Sequence, residues 1–198
     1  MKPLPELTEP GLQPAADDPT LLAVARDAIA RRLGAAGVAY TPAAWLLEPG
    51  ASFVTLTLNG DLRGCIGSLE AYRQLLEDVR ANAVAAAVRD PRFPPLRVQE
   101  LDATCIEVSL LSVPEAMEFT SQADAIARLR PGVDGVVLTY GQARGTFLPQ
   151  VWDALPSPEE FLAQLKRKAG LPPGFWDDGI RLARYRVRKW REPERGAA

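Results

Sequence analysis

The residues best suited to chemistry are concentrated in "LRGCIG", Leu62 to Gly67. Cys65, one of two cysteines in 198 residues, stands between Gly64 and Gly67, with Arg63 two positions before it. A nearby guanidinium favours thiolate and lowers a cysteine pKa below its ordinary value of about 8.5. If the segment is a strand, alternation puts Arg63, Cys65 and Gly67 on one face and Leu62, Gly64 and Ile66 on the other. The glycines leave bare backbone near the sulfur, which permits close approach of a ligand or of another protein segment. Two readings stand. One is a working thiol, or an anion-binding arginine, at a cleft. The other is a small residue packed where a strand meets a helix, since free cysteine is among the most buried residue types. Cys105 falls in an ordinary strand pattern and reads as packing.

The chain has no histidine. Cys–His dyads, Ser–His–Asp triads and histidine metal sites are therefore excluded. A nucleophilic Cys65 needs a carboxylate, a lysine or water as its proton acceptor. Two cysteines are too few for an all-cysteine zinc site or an iron–sulfur cluster in one chain. No loop has the ligand spacing of a calcium site, so neither a metal nor a cofactor is expected. The formal net charge of −2 gives no electrostatic case for a nucleic-acid or membrane partner. The longest apolar runs fall far short of a bilayer span, and the first residues lack a signal-peptide core. A cytoplasmic protein with reduced cysteines is the expectation.

The elements that must position Cys65 follow from periodicity. Residues 1–17, with four prolines, read as an irregular arm. Asp18-Pro19 reads as a helix start, followed by Leu21, Leu22, Ala25, Ala28, Ile29 and Leu33 at helical spacing and a stop at Gly34. "ASFVTLTLNGDLRGCIG" reads as a hairpin: Val54, Leu56 and Leu58 alternate with Phe53, Thr55 and Thr57, and Asn59-Gly60 supplies the type I′ turn. A helix over roughly Tyr72–Arg89 follows, stopped by the prolines of "RDPRFPPL". "DATCIEVSLLS" reads as a strand with Ile106, Val108 and Leu110 on one face, and residues 121–130 as a short helix. "GVVLTYGQARGTFLP" is a second hairpin turning near Gly141-Gln142. Ser157-Pro158-Glu159-Glu160 reads as a capping box opening a helix that stops at Gly170. "IRLARYRVRKW" reads as one last strand, with Arg184, Arg186 and Arg188 along a wet face. Hairpins with interspersed helices predict α+β with mainly antiparallel sheet.

"LRGCIGSLE" resembles the signature of the AMMECR-type domain family. "AVAAAVRDPRFPPL", "ELDATCIEVSLLS", "GVDGVVLTYGQARGTFLPQVW", "PEEFLAQLKRKAGLP" and "LARYRVRKW" resemble further family blocks, in family order. The chain is similar to the bacterial branch called AmmeMemoRadiSam system protein A. The resemblance, over about residues 20–190, implies the AMMECR-type fold: α+β in two lobes, with the cysteine motif near a cleft between them. The expected organisation is a single domain over 18–192 of two intimately packed lobes, with a flexible tail over 193–198. It implies the company of a Memo-type protein and a radical S-adenosylmethionine protein, and supplies no reaction. It adds Asp90, Arg92, Asp134 and Gln150 to Cys65, Arg63, Gly64, Ile66 and Gly67 as candidate site residues. Some relatives carry a histidine where this chain has Asp134, so a mechanism needing that imidazole does not carry over. Three functions are weighed. The first is a component acting with those partners, with a Cys/Arg cleft as ligand or partner site. The second is a thiol-dependent enzyme using Cys65 on a small anionic or nucleotide-related substrate. The third, weakest, is an RNA-associated protein using the late arginine row.

Overall fold

The computed structural model describes residues 18–193. The arm assigned to residues 1–17, and the tail from residue 194 on, lie outside the described residues. In chain order the elements are α1 (Thr20–Arg32), β1 (Ala51–Leu58), β2 (Asp61–Gly67), α2 (Leu75–Val88), β3 (Thr104–Leu111) and β4 (Glu115–Ala116). They continue with α3 (Gln122–Arg128), β5 (Gly135–Tyr140), β6 (Ala143–Phe147), α4 (Pro158–Lys168), β7 (Arg181–Tyr185) and β8 (Val187–Arg191). The described residues thus form four α-helices and two four-stranded antiparallel sheets, an α+β fold. They divide into two compact units. One runs to Leu110 and resumes at Lys189; the other is Leu111–Arg188.

The first unit is built on the sheet β2-β1-β3-β8. Asn59 and Gly60 turn the β1–β2 hairpin with φ of 53° and 86°, as a type I′ turn requires. Val54, Leu56, Ile106, Val108 and Trp190 face Leu21, Val24 and Ile29 of α1 and Val79, Ala83 and Ala86 of α2 in one apolar core. The alanine run of α2 lets that helix lie close to the sheet. An added Cβ at Gly64 would sit 2.2 Å from the carbonyl oxygen of Ala86. Gly64 therefore marks where strand and helix backbones touch. The helix begins at Leu75 rather than near Tyr72, because Arg73–Leu75 pair by backbone hydrogen bonds with Glu48–Gly50 and hold Gln74 extended.

The second unit carries the sheet β4-β7-β5-β6. Its core packs Val136, Leu138 and Leu182 against Ala125 of α3 and Phe161, Leu162 and Leu165 of α4. Trp152 stacks on Phe161 with ring centroids 3.7 Å apart. Ser157 caps α4 by accepting the Glu160 N–H (3.3 Å), with Pro158 at the first helical position. The reciprocal half of the expected capping box is replaced by a bond from Ser157 Oγ to Glu159 (2.8 Å).

The last strand departs from expectation. "IRLARYRVRKW" is two strands, β7 and β8, assigned to different sheets and separated at Arg186. Arg186 bonds Ser112 through both backbone groups, its N–H to Oγ at 3.0 Å and its carbonyl from the Ser112 N–H at 2.9 Å. Arg184, Arg186 and Arg188 therefore do not belong to the one strand expected. Arg184 is half-buried, with its Nε buried and unpartnered among the described residues.

Candidate functional site

The site is built on the β1–β2 hairpin of the first unit. Thr55 pairs with Cys65, and Phe53 with Gly67, across the hairpin. Paired residues share a face, and their neighbours Val54 and Ile66 pack on the core. Cys65 therefore projects on the face away from α2. It is half-buried, and Thr55 Oγ1 donates to its sulfur at 3.3 Å. Cys105 is buried, with its thiol bonded to the carbonyl of Glu192 (3.2 Å), consistent with a packing role.

The proline-bounded loop after α2 supplies the charges. Asp90 is buried. It accepts the Cys65 N–H at 2.8 Å, the Arg92 N–H at 3.1 Å, and Arg92 Nε and Nη2 at 2.9 and 2.6 Å. Arg92 Nη2 also reaches the Cys65 carbonyl (3.2 Å), so one Asp–Arg pair grips both polar groups of the Cys65 peptide. Half of the Arg92 side chain, 53 %, remains exposed. Its guanidinium lies 5.5 Å from the Phe93 ring centroid, in cation–π range. The hydrogen bonds and charge of Asp90 raise the Arg92 pKa, and burial opposes them.

The Arg92 guanidinium holds the Asp90 carboxyl well below the usual carboxylate range. Burial opposes this, and the N–H groups of Cys65 and Arg92 reinforce it. The folded pKa lies below the unfolded one, so the stabilisation is complete above the unfolded value and fades as pH falls below about 4. Asp90→Asn is expected to cost about 2 kcal/mol at pH 7. The gap to the parent protein should shrink steadily below pH 4, as read from urea midpoints across pH. An equal gap at pH 7 and pH 3 would refute this role for the carboxylate.

Several candidates serve other purposes. The β1–β2 pairing slips between Leu56 and Thr57, from Leu56–Gly64 to Thr57–Leu62, and leaves Arg63 as the extra residue of a bulge. A bulge re-aims its side chain. The Arg63 guanidinium bonds Glu100 (Nε to Oε1, 3.0 Å; Nη2 to Oε2, 3.3 Å) and the carbonyls of Pro94 (2.8 Å) and Pro95 (3.4 Å). It clamps the proline loop to the hairpin, and the cation engaging Cys65 is Arg92. Gly64 meets α2 and Ile66 packs on the core, both on the face opposite the sulfur. A Cβ at Gly67 would fall 2.1 Å from the Phe53 ring, so that backbone is covered by an aromatic side chain rather than left bare.

Asp134 and Gln150 belong to the second unit. Asp134 is fully buried. Its carboxylate takes the Arg130 N–H (3.0 Å) and guanidinium (2.5–3.1 Å), and its carbonyl takes the Trp152 indole N–H (2.7 Å). That is a turn aspartate fixing the entry to β5. Gln150 is exposed.

Sequence reasoning missed Thr55 and Glu100 as partners of the motif. It also missed a buried network centred on Asp78 of α2. Asp78 Oδ2 accepts from Ser52 N (2.8 Å), Ser52 Oγ (2.6 Å) and Asn82 Nδ2 (2.9 Å); Oδ1 accepts from Ser68 Oγ (2.7 Å) and Arg73 Nε (2.9 Å). The i, i+4 pair Asp78–Asn82 was its only local signal.

Comparison with known proteins adds the family. The AMMECR1 family profile matches residues 22–190. A protein of Methanothermobacter thermautotrophicus is 45 % identical over 146 residues, covering 71 % of this chain and 74 % of its own. Protein MJ0810 of Methanocaldococcus jannaschii is 39 % identical over 140 residues, covering 68 % of each. The crystal structure of the uncharacterized protein PH0010 from Pyrococcus horikoshii superposes with a TM-score of 0.70 at 34 % identity, covering 88 % of this chain and 90 % of that one.

Proposed function

This chain belongs to the AMMECR1 family, and on that premise we propose that it is a binding component rather than a self-contained catalyst. The Cys65–Arg92 surface is its site for an anionic group presented by a ligand or partner protein. The partners we propose are a Memo-type protein and a radical S-adenosylmethionine protein. The observation that carries this reading is the state of Asp90. It is the carboxylate bonded to the Cys65 peptide, it is fully engaged by donors, and its pKa is depressed. Such a carboxylate is a poor proton acceptor, and the chain has no histidine to replace it. What the site offers instead is a guanidinium held rigid at one edge and exposed at the other, suited to anion recognition.

The test is affinity co-purification of the full chain with the two proposed partners. Arg92→Ala is expected to weaken capture at least tenfold, measured at a temperature where the variant is still folded by circular dichroism, because it also removes the counter-charge of the buried Asp90. Capture that ignores Arg92, or no capture of either partner after cross-linking, would refute the proposal. A second reading, a thiol-dependent enzyme acting on a small anionic substrate, is favoured by the Thr55 hydroxyl donating to the Cys65 sulfur. It requires iodoacetamide to label Cys65 in the folded protein at neutral pH, ahead of Cys105. Labelling of Cys65 only upon unfolding would eliminate it.

A further inference from the structure

A separate depression lies on the helical side of the first unit, and nothing in the reading above uses it. Its construction starts where α1 ends. Gly34 takes φ of +78°, the Gly34 N–H bonds the Arg31 carbonyl (3.2 Å) and the Ala35 N–H bonds the Ala30 carbonyl (2.9 Å). This is a left-handed helix stop that turns the chain back. The next residues run without regular structure and rest on an ion pair of α1. Asp27 is buried and accepts Arg31 Nε at 2.8 and 2.9 Å and the Val38 N–H at 3.0 Å. A Cβ at Gly37 would come within 2.4 Å of Asp27 Oδ1 and 2.8 Å of Arg31 Nη2, so a larger residue there would have to displace this ion pair. Farther on, Tyr40 accepts a hydrogen bond from Arg80 of α2, whose guanidinium lies 6.0 Å from the tyrosine ring centroid.

The result is a depression of about 590 Å³ lined by Asp27, Arg31, Val38, Tyr40, Pro42 and Arg80, among others. Its field is cationic. The Asp27 charge is engaged by Arg31 Nε and a backbone N–H. Among the described residues no hydrogen bond is formed by the Arg31 Nη groups, or by Nε and Nη1 of Arg80. The Arg31 side chain is 70 % exposed. Two guanidiniums present more donors than one carboxylate can accept. A phosphate, with three oxygens and a charge of about −1.5 to −2, matches them. Tyr40, Val38 and Pro42 add a partly apolar wall of the kind that holds a ring. We propose that this depression binds a small ring compound carrying a phosphate group, of the nucleoside monophosphate class.

The experiment is isothermal titration of the full chain with adenosine 5′-monophosphate, adenosine and inorganic phosphate as probes. The monophosphate is expected to bind at least tenfold tighter than either of the other two. Arg80→Gln should weaken it about tenfold, with unchanged circular dichroism. Arg31→Gln should do the same, and Cys65→Ala should leave it unaltered. Equal binding of adenosine and its monophosphate would overturn the cationic role. Equal binding of inorganic phosphate would overturn the ring wall. Indifference to Arg80→Gln, or the absence of saturable binding by any probe, would overturn the site.

Discussion

Gly64→Ala is expected to destabilise the protein by about 3 kcal/mol, a drop of roughly 10 °C in melting temperature. The added methyl carbon has its nearest neighbour, the Ala86 carbonyl oxygen, at 2.2 Å and the Ala86 carbonyl carbon at 3.1 Å. Both are helix backbone, so no side chain can rotate aside. Either α2 retreats from the sheet or β2 bends away from it. Retreat opens the contacts of Val79, Ala83 and Ala86 with the core and pulls against the bonds tying Asp78 to Ser52 and Ser68. Bending strains the Cys65 N–H bond to Asp90, one residue along the strand. Cys65→Ala is the matched control. It trims a half-buried side chain on the opposite face and is expected to cost no more than about 1 kcal/mol. A Gly64→Ala melting temperature equal to that of the Cys65→Ala variant would show that helix and strand do not touch there.

That contrast also shows how much of the site could be read from the sequence. The hairpin was legible because Asn59-Gly60 carries its own backbone preference, and alternation correctly separates Cys65 from Gly64 and Ile66. What covers each face was not legible. A glycine in a strand signals a close approach without naming the approaching segment, and here the segment is a helix more than twenty residues on. The Arg63 assignment failed for a different reason. A bulge has no compositional mark in "DLRGC", and one extra residue turns the guanidinium to Glu100 and the proline carbonyls. The pairing of Asp90 with Arg92 is local, but its grip on the Cys65 peptide joins residues 25 apart. The final strand misled because its alternation of arginine with apolar residues continues unbroken through Arg186, where the chain leaves one sheet for the other.

Asp78→Ala is expected to cost about 4 kcal/mol, the range for removing one partner of a buried ion pair. The carboxylate is fully buried and gathers five donors: the Ser52 N–H and hydroxyl, the Asn82 amide, the Ser68 hydroxyl and the Arg73 guanidinium. Removing it leaves buried donors without an acceptor and a mostly buried cation without its counter-charge, which is costlier than losing a packed methyl. The damage should be local first. Asp78 ties the start of β1, the residue after β2 and the first turn of α2 together, so amide exchange should accelerate at Ser52 and Ser68 before the second unit responds. Asp78→Asn tests the electrostatic part, because it keeps the shape but turns a donor toward donors. It should fall between the parent and the alanine variant. Removing Arg73 as well should restore part of the loss, since the stranded charge goes with it. If Asp78→Ala unfolds at the parent's urea midpoint, the network does not hold the cysteine strand in register with its helix, and the geometry at Cys65 must rest on the Asp90 loop alone.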